Sequence, residues 1–135
     1  MATVEDLKAM VGKHGSEVKF KIDKSMIRLL CDTLGDDISR WKDVTPPGML
    51  TEAMFVGEGT HIDWPYPGIV DAGAEWNFFK PIKVGDEISV VNSLDGVEDK
   101  SSEKGKRLLI TFKSTLTNQK GEVVATSIGR VMNLG

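Results

Sequence analysis

The stretch LGDDISRWKD, residues 34–43, places a carboxylate at Asp36 directly after a glycine that closes an apolar run, and an indole at Trp41 five positions later. A loop carboxylate can act as a general base, but Trp has one N–H donor, no acceptor and no titratable proton, so it can be neither acid nor base. Asp36 after a helix end is also ordinary turn chemistry. A second candidate base is His61, in the glycine-, proline- and aromatic-rich loop EGTHIDWPYPG beside Asp63, Trp64 and Tyr66. Loops carry function, yet nothing in the spacing fixes His61 relative to Asp36, and a surface histidine is the plainer reading. His14 follows a helix C-terminus, where a cationic side chain is favourable without further role.

Other chemistries lack their patterns. Two histidines and one cysteine, widely spaced, offer no zinc site, so no metal is expected. GEGT at 57–60 follows a helix rather than a strand and is no phosphate loop. Ser, His and Asp occur without a nucleophile-elbow spacing. A net charge of -3 gives no footprint for nucleic acid. Cys31 cannot form an internal disulfide and sits on an apolar helix face, which suits core packing in a reducing, cytoplasmic setting. Glu5, Asp6 and Lys8 interrupt the first apolar residues, and no apolar run approaches ~18 residues, so neither export nor a membrane span is expected.

The elements that must hold these residues follow from periodicity. With 135 residues, 40% hydrophobic and 27% charged, the chain suits one globular domain over residues 1–135. Thr3 and an acidic first turn open a short helix with Val4, Leu7, Met10 and Val11 on one face, stopped at Gly12. EVKFKI alternates Val18, Phe20 and Ile22 with charges, the sign of a half-buried strand. From Ser25 to Leu34 the positions Met26, Ile27, Leu30, Cys31 and Leu34 mark a helix face, with Gly35 as C-cap. Thr45 caps a further helix over Pro46–Val56, apolar nearly all round and so expected to be buried.

Four strands are then expected: Val70, Ala72, Ala74, Trp76 and Phe78 alternating with polar residues; EISVV; Leu108, Ile110, Phe112 and Leu116; and Val123–Met132. Turn signals at 83–87, 100–106 and 118–122 join them. A sheet with one apolar face needs cover, and the helix Pro46–Val56 is the apolar element available. The expected fold is α+β, an antiparallel sheet wrapped around a central apolar helix.

This order of elements, with the Gly35-Asp36 loop, PPG at 46–48, PIKVGDEI at 81–88 and NQKGEVV at 118–124, resembles the MaoC-like dehydratases of the hot-dog fold. Their active loop reads roughly Gly-Asp-x-Asn-Pro-x-His. Counting from Gly35, Ile38, Ser39 and Trp41 stand where Asn, Pro and His would be. The chain therefore resembles more closely the dehydratase N-terminal domain of type I fatty-acid-synthase-like proteins and the non-catalytic partner in mycobacterial hydroxyacyl dehydratases.

The resemblance implies an acyl-binding subunit of an enoyl-CoA hydratase or 3-hydroxyacyl dehydratase, paired with a second hot-dog chain that carries the Asp/His dyad. Self-sufficient homodimeric action on acyl-CoA thioesters through Asp36 or His61, and ligand binding without chemistry, are the alternatives. Asp36, Trp41, Pro47, Gly48 and Met49 would lie nearest the acyl thioester, with the N–H groups at the start of the Pro46–Val56 helix facing its oxygen. Trp41 is expected to fill by packing the space an active loop gives to His and water. Coenzyme A or acyl carrier protein would enter only as part of the substrate. Lys104, Lys106 and Arg107 read as a solvated hairpin turn or as a contact for a nucleotide phosphate of coenzyme A.

Overall fold

The computed structural model describes residues 2–46 and 62–135. Helix α1 spans Val4–Ala9: the Thr3 hydroxyl accepts the Asp6 main-chain N–H at 3.1 Å and the Asp6 carboxylate accepts that of Thr3 at 2.9 Å. This reciprocal cap satisfies donors that a helix start leaves free, so six residues suffice to seat Leu7 in the core. Strand β1 is Val18–Lys21. Helix α2 runs Lys24–Leu34, capped by Asp23, whose carboxylate accepts the Ser25 N–H at 2.7 Å. Ile27 and Cys31 are buried, as the spacing requires, whereas Leu34 at 52% and Val11 at 42% are exposed rather than on a buried face. Both stand where their helices end, beyond the reach of the packed turn.

A 3-10 turn, Ile38–Arg40, leads on, and four long strands follow: β2 Gly68–Phe78, β3 Glu87–Asp99, β4 Arg107–Thr117 and β5 Val123–Leu134. All pair antiparallel in one sheet of order β1-β3-β4-β5-β2. The alternation expected of β4 holds, with Leu108, Ile110 and Leu116 wholly buried beside Ile88, Val90 and Leu94 of β3. The expected helix Pro46–Val56 falls, apart from Pro46, outside the described residues.

Two expectations are corrected. The segment 83–87 does not join neighbouring strands, because β2 pairs with β5 and lies three places from β3. Its contacts are instead with Ile22: Gly85 donates its N–H to the Ile22 carbonyl at 2.9 Å, and Ile22 donates back to Asp86 at 2.8 Å. The turns at 100–106 and 118–122 do close hairpins. Second, β2 does not bury the face Val70, Ala72, Ala74, Trp76, Phe78. A bulge between Asp71 and Ala74, with Gly73 at φ 107°, breaks the alternation, so Asp71 and Ile69 share a face with Ala74, Trp76 and Phe78. Only Trp76 packs on the core; Ile69, Val70, Phe78 and Phe79 are exposed along this sheet edge.

Asn133 of β5 is a fully buried polar residue. Its amide donates to the carbonyls of Tyr66 and Gly68, both at 2.7 Å, and its side-chain oxygen accepts the Tyr66 N–H at 3.0 Å. It thus satisfies three main-chain groups where the chain enters β2.

Candidate functional site

Asp36 is positioned by the end of α2. Gly35 takes the left-handed conformation, φ 70°, and the Asp36 N–H closes on the Cys31 carbonyl at 2.8 Å, the six-to-one bond of a Schellman motif. The Asp36 carboxylate then gathers three donors. One oxygen accepts the Trp41 Nε1–H at 2.8 Å; the other accepts the Asp37 main-chain N–H at 2.8 Å and Arg40 Nη1 at 3.0 Å. Asp37 caps the 3-10 turn through the Ser39 N–H at 2.9 Å, which carries Arg40 and Trp41 round to face Asp36.

These bonds favour the charged carboxylate. The Trp41 donor, followed by the Asp37 N–H, holds Asp36 below the usual 3.8; burial opposes this and Arg40 adds to it. Because the folded value is the lower one, the stabilisation is present above 3.8 and is lost as pH falls through the depressed value. At neutral pH Asp36 has no proton to give, three of its roughly four acceptor positions are occupied, and its basicity is reduced. Trp41→Phe should move the Asp36 titration upward toward 3.8, a shift readable from its side-chain carboxyl carbon by NMR.

Trp41 is half-buried rather than a core anchor. It forms one wall of an apolar cleft of about 270 Å³, lined also by Val44, Pro46, Phe78, Phe79 and Ile82. Truncating it should therefore cost less than the ~3 to 5 kcal/mol of a fully buried Trp. The cleft is shaped by loop pairing: Thr45 donates its N–H to the Ile82 carbonyl at 2.8 Å, and Val84 donates to Asp43 at 2.8 Å.

Of the residues expected at a site, Asp36 and Trp41 are brought together in direct contact. Pro47, Gly48, Met49 and His61 lie outside the described residues. Sequence reasoning missed Arg40, although it stands four residues after Asp36, a spacing that brings side chains together when the chain turns. It also missed Phe78 and Phe79, whose adjacency to Trp41 depends on long-range pairing that no local pattern encodes. Among the described residues no group of three His, Cys, Asp or Glu side chains could hold a metal ion, and no helix is long and apolar enough to cross a membrane.

Comparison with known proteins adds the following. No curated protein matches the chain. Among solved structures, the ChsH1-ChsH2 complex from Mycobacterium tuberculosis superposes with TM-score 0.74 at 19% identity, over 96% of this chain and 88% of that one. The MaoC-like dehydratase from Rhodospirillum rubrum gives 0.69 at 24%, over 99% and 97%. The HadBC complex, a 3R-hydroxyacyl-ACP dehydratase from Mycobacterium tuberculosis, gives 0.70 at 17%, over 92% and 97%. At these identities the likeness is one of fold, and it bears out the α+β hot-dog class expected from the sequence. Residues 37–127 match the family described as "FAS1-like, dehydratase domain region", and since that match takes in the loop after Asp36, strands β2 to β4 and the start of β5, about two thirds of the chain, the chain belongs to that dehydratase family.

Proposed function

We propose that this chain is the non-catalytic, acyl-binding subunit of a heteromeric enoyl-CoA hydratase or 3-hydroxyacyl dehydratase. The observation that carries the reading is the bond from Trp41 Nε1 to Asp36. Hydration of an enoyl thioester needs a base for water and an acid for the α-carbon. An imidazole facing Asp36 would donate through one ring nitrogen and keep the other for proton transfer; an indole donates and has nothing further to offer. The apolar cleft beside Trp41 suits an acyl chain.

Among the described residues β2 is an edge strand with Ile69, Val70, Phe78 and Phe79 exposed, which supports a partner chain that continues the sheet. Two of the similar folds occur in complexes, ChsH1-ChsH2 and HadBC. Purified from its source, the chain should bring down an equimolar second hot-dog protein bearing Gly-Asp-x-Asn-Pro-x-His. Recovery as a stable 14.8 kDa monomer, or as a homodimer that hydrates enoyl-CoA, would sink the proposal.

A further inference from the structure

Among the described residues two buried side-chain polar atoms have no hydrogen-bond partner, Thr45 Oγ1 and Trp76 Nε1. Both belong to the walls of the cleft beside Trp41. Thr45, itself 5% exposed, lines the cleft and is tied through its main chain to Ile82, another lining residue. The Trp76 ring stacks on that of Phe78, which also lines the cleft, with 5.9 Å between centroids and 8° between planes. The other polar groups of the lining are engaged: Lys80 pairs with Glu122, and Trp41 Nε1 is held by Asp36. A buried polar group without a partner is destabilising, and folded chains keep few of them. Two around one cleft mark a place where a ligand supplies the missing bonds.

We propose that the cleft selects an acyl group with an acceptor oxygen set in its apolar body, a ketone or an equivalent carbonyl, and that Thr45 and Trp76 are the residues that determine this specificity; the inference rests on the acyl-binding reading above. An indole N–H only donates and a threonine hydroxyl can donate, so an acceptor oxygen serves both. A plain alkyl group fills the cleft and leaves both unsatisfied, which is how a site built for a hydrogen bond rejects the analogue that lacks it.

The strand register extends this polarity across the sheet. Trp76 lies opposite Ser127 of β5, Ser127 opposite Ser114 of β4, and Ser114 opposite Asn92 of β3. Directly paired residues point to the same face, so these four form a polar row across four strands. The adjacent row on that face is Phe78, Ala125, Leu116 and Val90, wholly apolar. Ser114 donates to the Asn92 side-chain oxygen at 2.6 Å, and Asn92 and Ser127 are both buried. The polar row begins two residues along β2 from Phe78, roughly 7 Å. An acyl group that passes Trp41 and Phe78 meets it beyond the cleft, which puts this oxygen in the tail and not at the thioester.

The test is calorimetric titration of the full chain, in the assembly in which it is purified, with octanoyl-CoA, with the oxo-octanoyl-CoA isomers that carry a ketone in the distal half of the chain, and with 2-octanone. At least one isomer is expected to bind ~10-fold or more tighter than octanoyl-CoA, although it is the less apolar compound. Thr45→Val and Trp76→Phe, which remove the polar atom and keep most of the side chain, should each abolish that preference. Because the Thr45 hydroxyl has no partner within the chain, Thr45→Val should also melt no lower than the native assembly; a lower melting temperature would show that the hydroxyl serves the fold and overturn its role. Octanoyl-CoA bound as tightly as every isomer, or a preference that survives in either variant, overturns the polar site and leaves acyl binding standing. Binding of 2-octanone that Thr45→Val abolishes, with no thioester bound, would uphold the polar site and sink the acyl-binding reading instead. If none of the compounds binds, both fall.

Discussion

Supplied with a trans-2-enoyl-CoA, the isolated chain should turn over at least ~10²- to 10⁴-fold below an enzyme that retains both members of the acid–base pair. Activity near the median kcat of about 10 s⁻¹ would refute the non-catalytic reading. Asp36→Asn and His61→Ala would then show which side chain is the base. Replacing Trp41 by His should not restore the reaction. The imidazole nitrogen that stands in place of the indole Nε1 is Nε2, and spending it as the donor to Asp36 leaves Nδ1, close to the ring's own main chain, as the acceptor. The 3-10 turn that Asp37 caps fixes this approach, so position, and not residue type alone, separates this loop from an active one. An active Trp41→His homodimer would show that only the base had been lost.

Asn133→Leu should be the most damaging single substitution in the sheet, lowering stability by roughly 3 to 5 kcal/mol because one buried donor and two carbonyls lose their partners at ~1 to 3 kcal/mol each. Against the ~5 to 15 kcal/mol that holds a domain folded, this is a large share, and the melting temperature should fall by on the order of 10 °C or more. Asn133→Asp keeps the acceptor for the Tyr66 N–H but sets a carboxylate against the Tyr66 and Gly68 carbonyls, so it should be worse still. A thermal melt by circular dichroism measures both. If Asn133→Leu melts within a degree or two of the native chain, the three bonds contribute little.

Much of this was legible in the sequence, for reasons that differ between elements. Helices α1 and α2 announce themselves through Thr3 and Gly35, since capping depends on residues close in the chain. Strand β4 shows which side is buried because it lies between two neighbours and buries one face, whereas β5, with adjacent Val124 and Ala125 both buried, carries no such alternation. Strand β2 misleads: its apolar alternation crosses a bulge, and as an edge strand it leaves Val70 and Phe78 exposed. Asp36 and Trp41 drew notice as a broken motif, but their mutual bond and the Arg40 contact are properties of the turn's geometry. The wall of the cleft formed by Phe78 and Phe79 depends on where β2 is placed in the sheet, which composition and periodicity do not encode.

The strand order also sets a sequence of assembly. β3, β4 and β5 are consecutive hairpins, so each pairing closes only a short loop, whereas β2 reaches β5 only after the intervening β3 and β4 have been laid down. Closing that longer loop costs more chain entropy before any contact compensates it. The hairpin meander is thus the natural nucleus and β2 a late arrival, held at its entry by Asn133 and along its length by one neighbour. The cleft beside Trp41, which borrows Phe78 from that strand, therefore forms after the meander in folding, and like the β1 pairing it belongs to the part of the sheet that opens before the meander does.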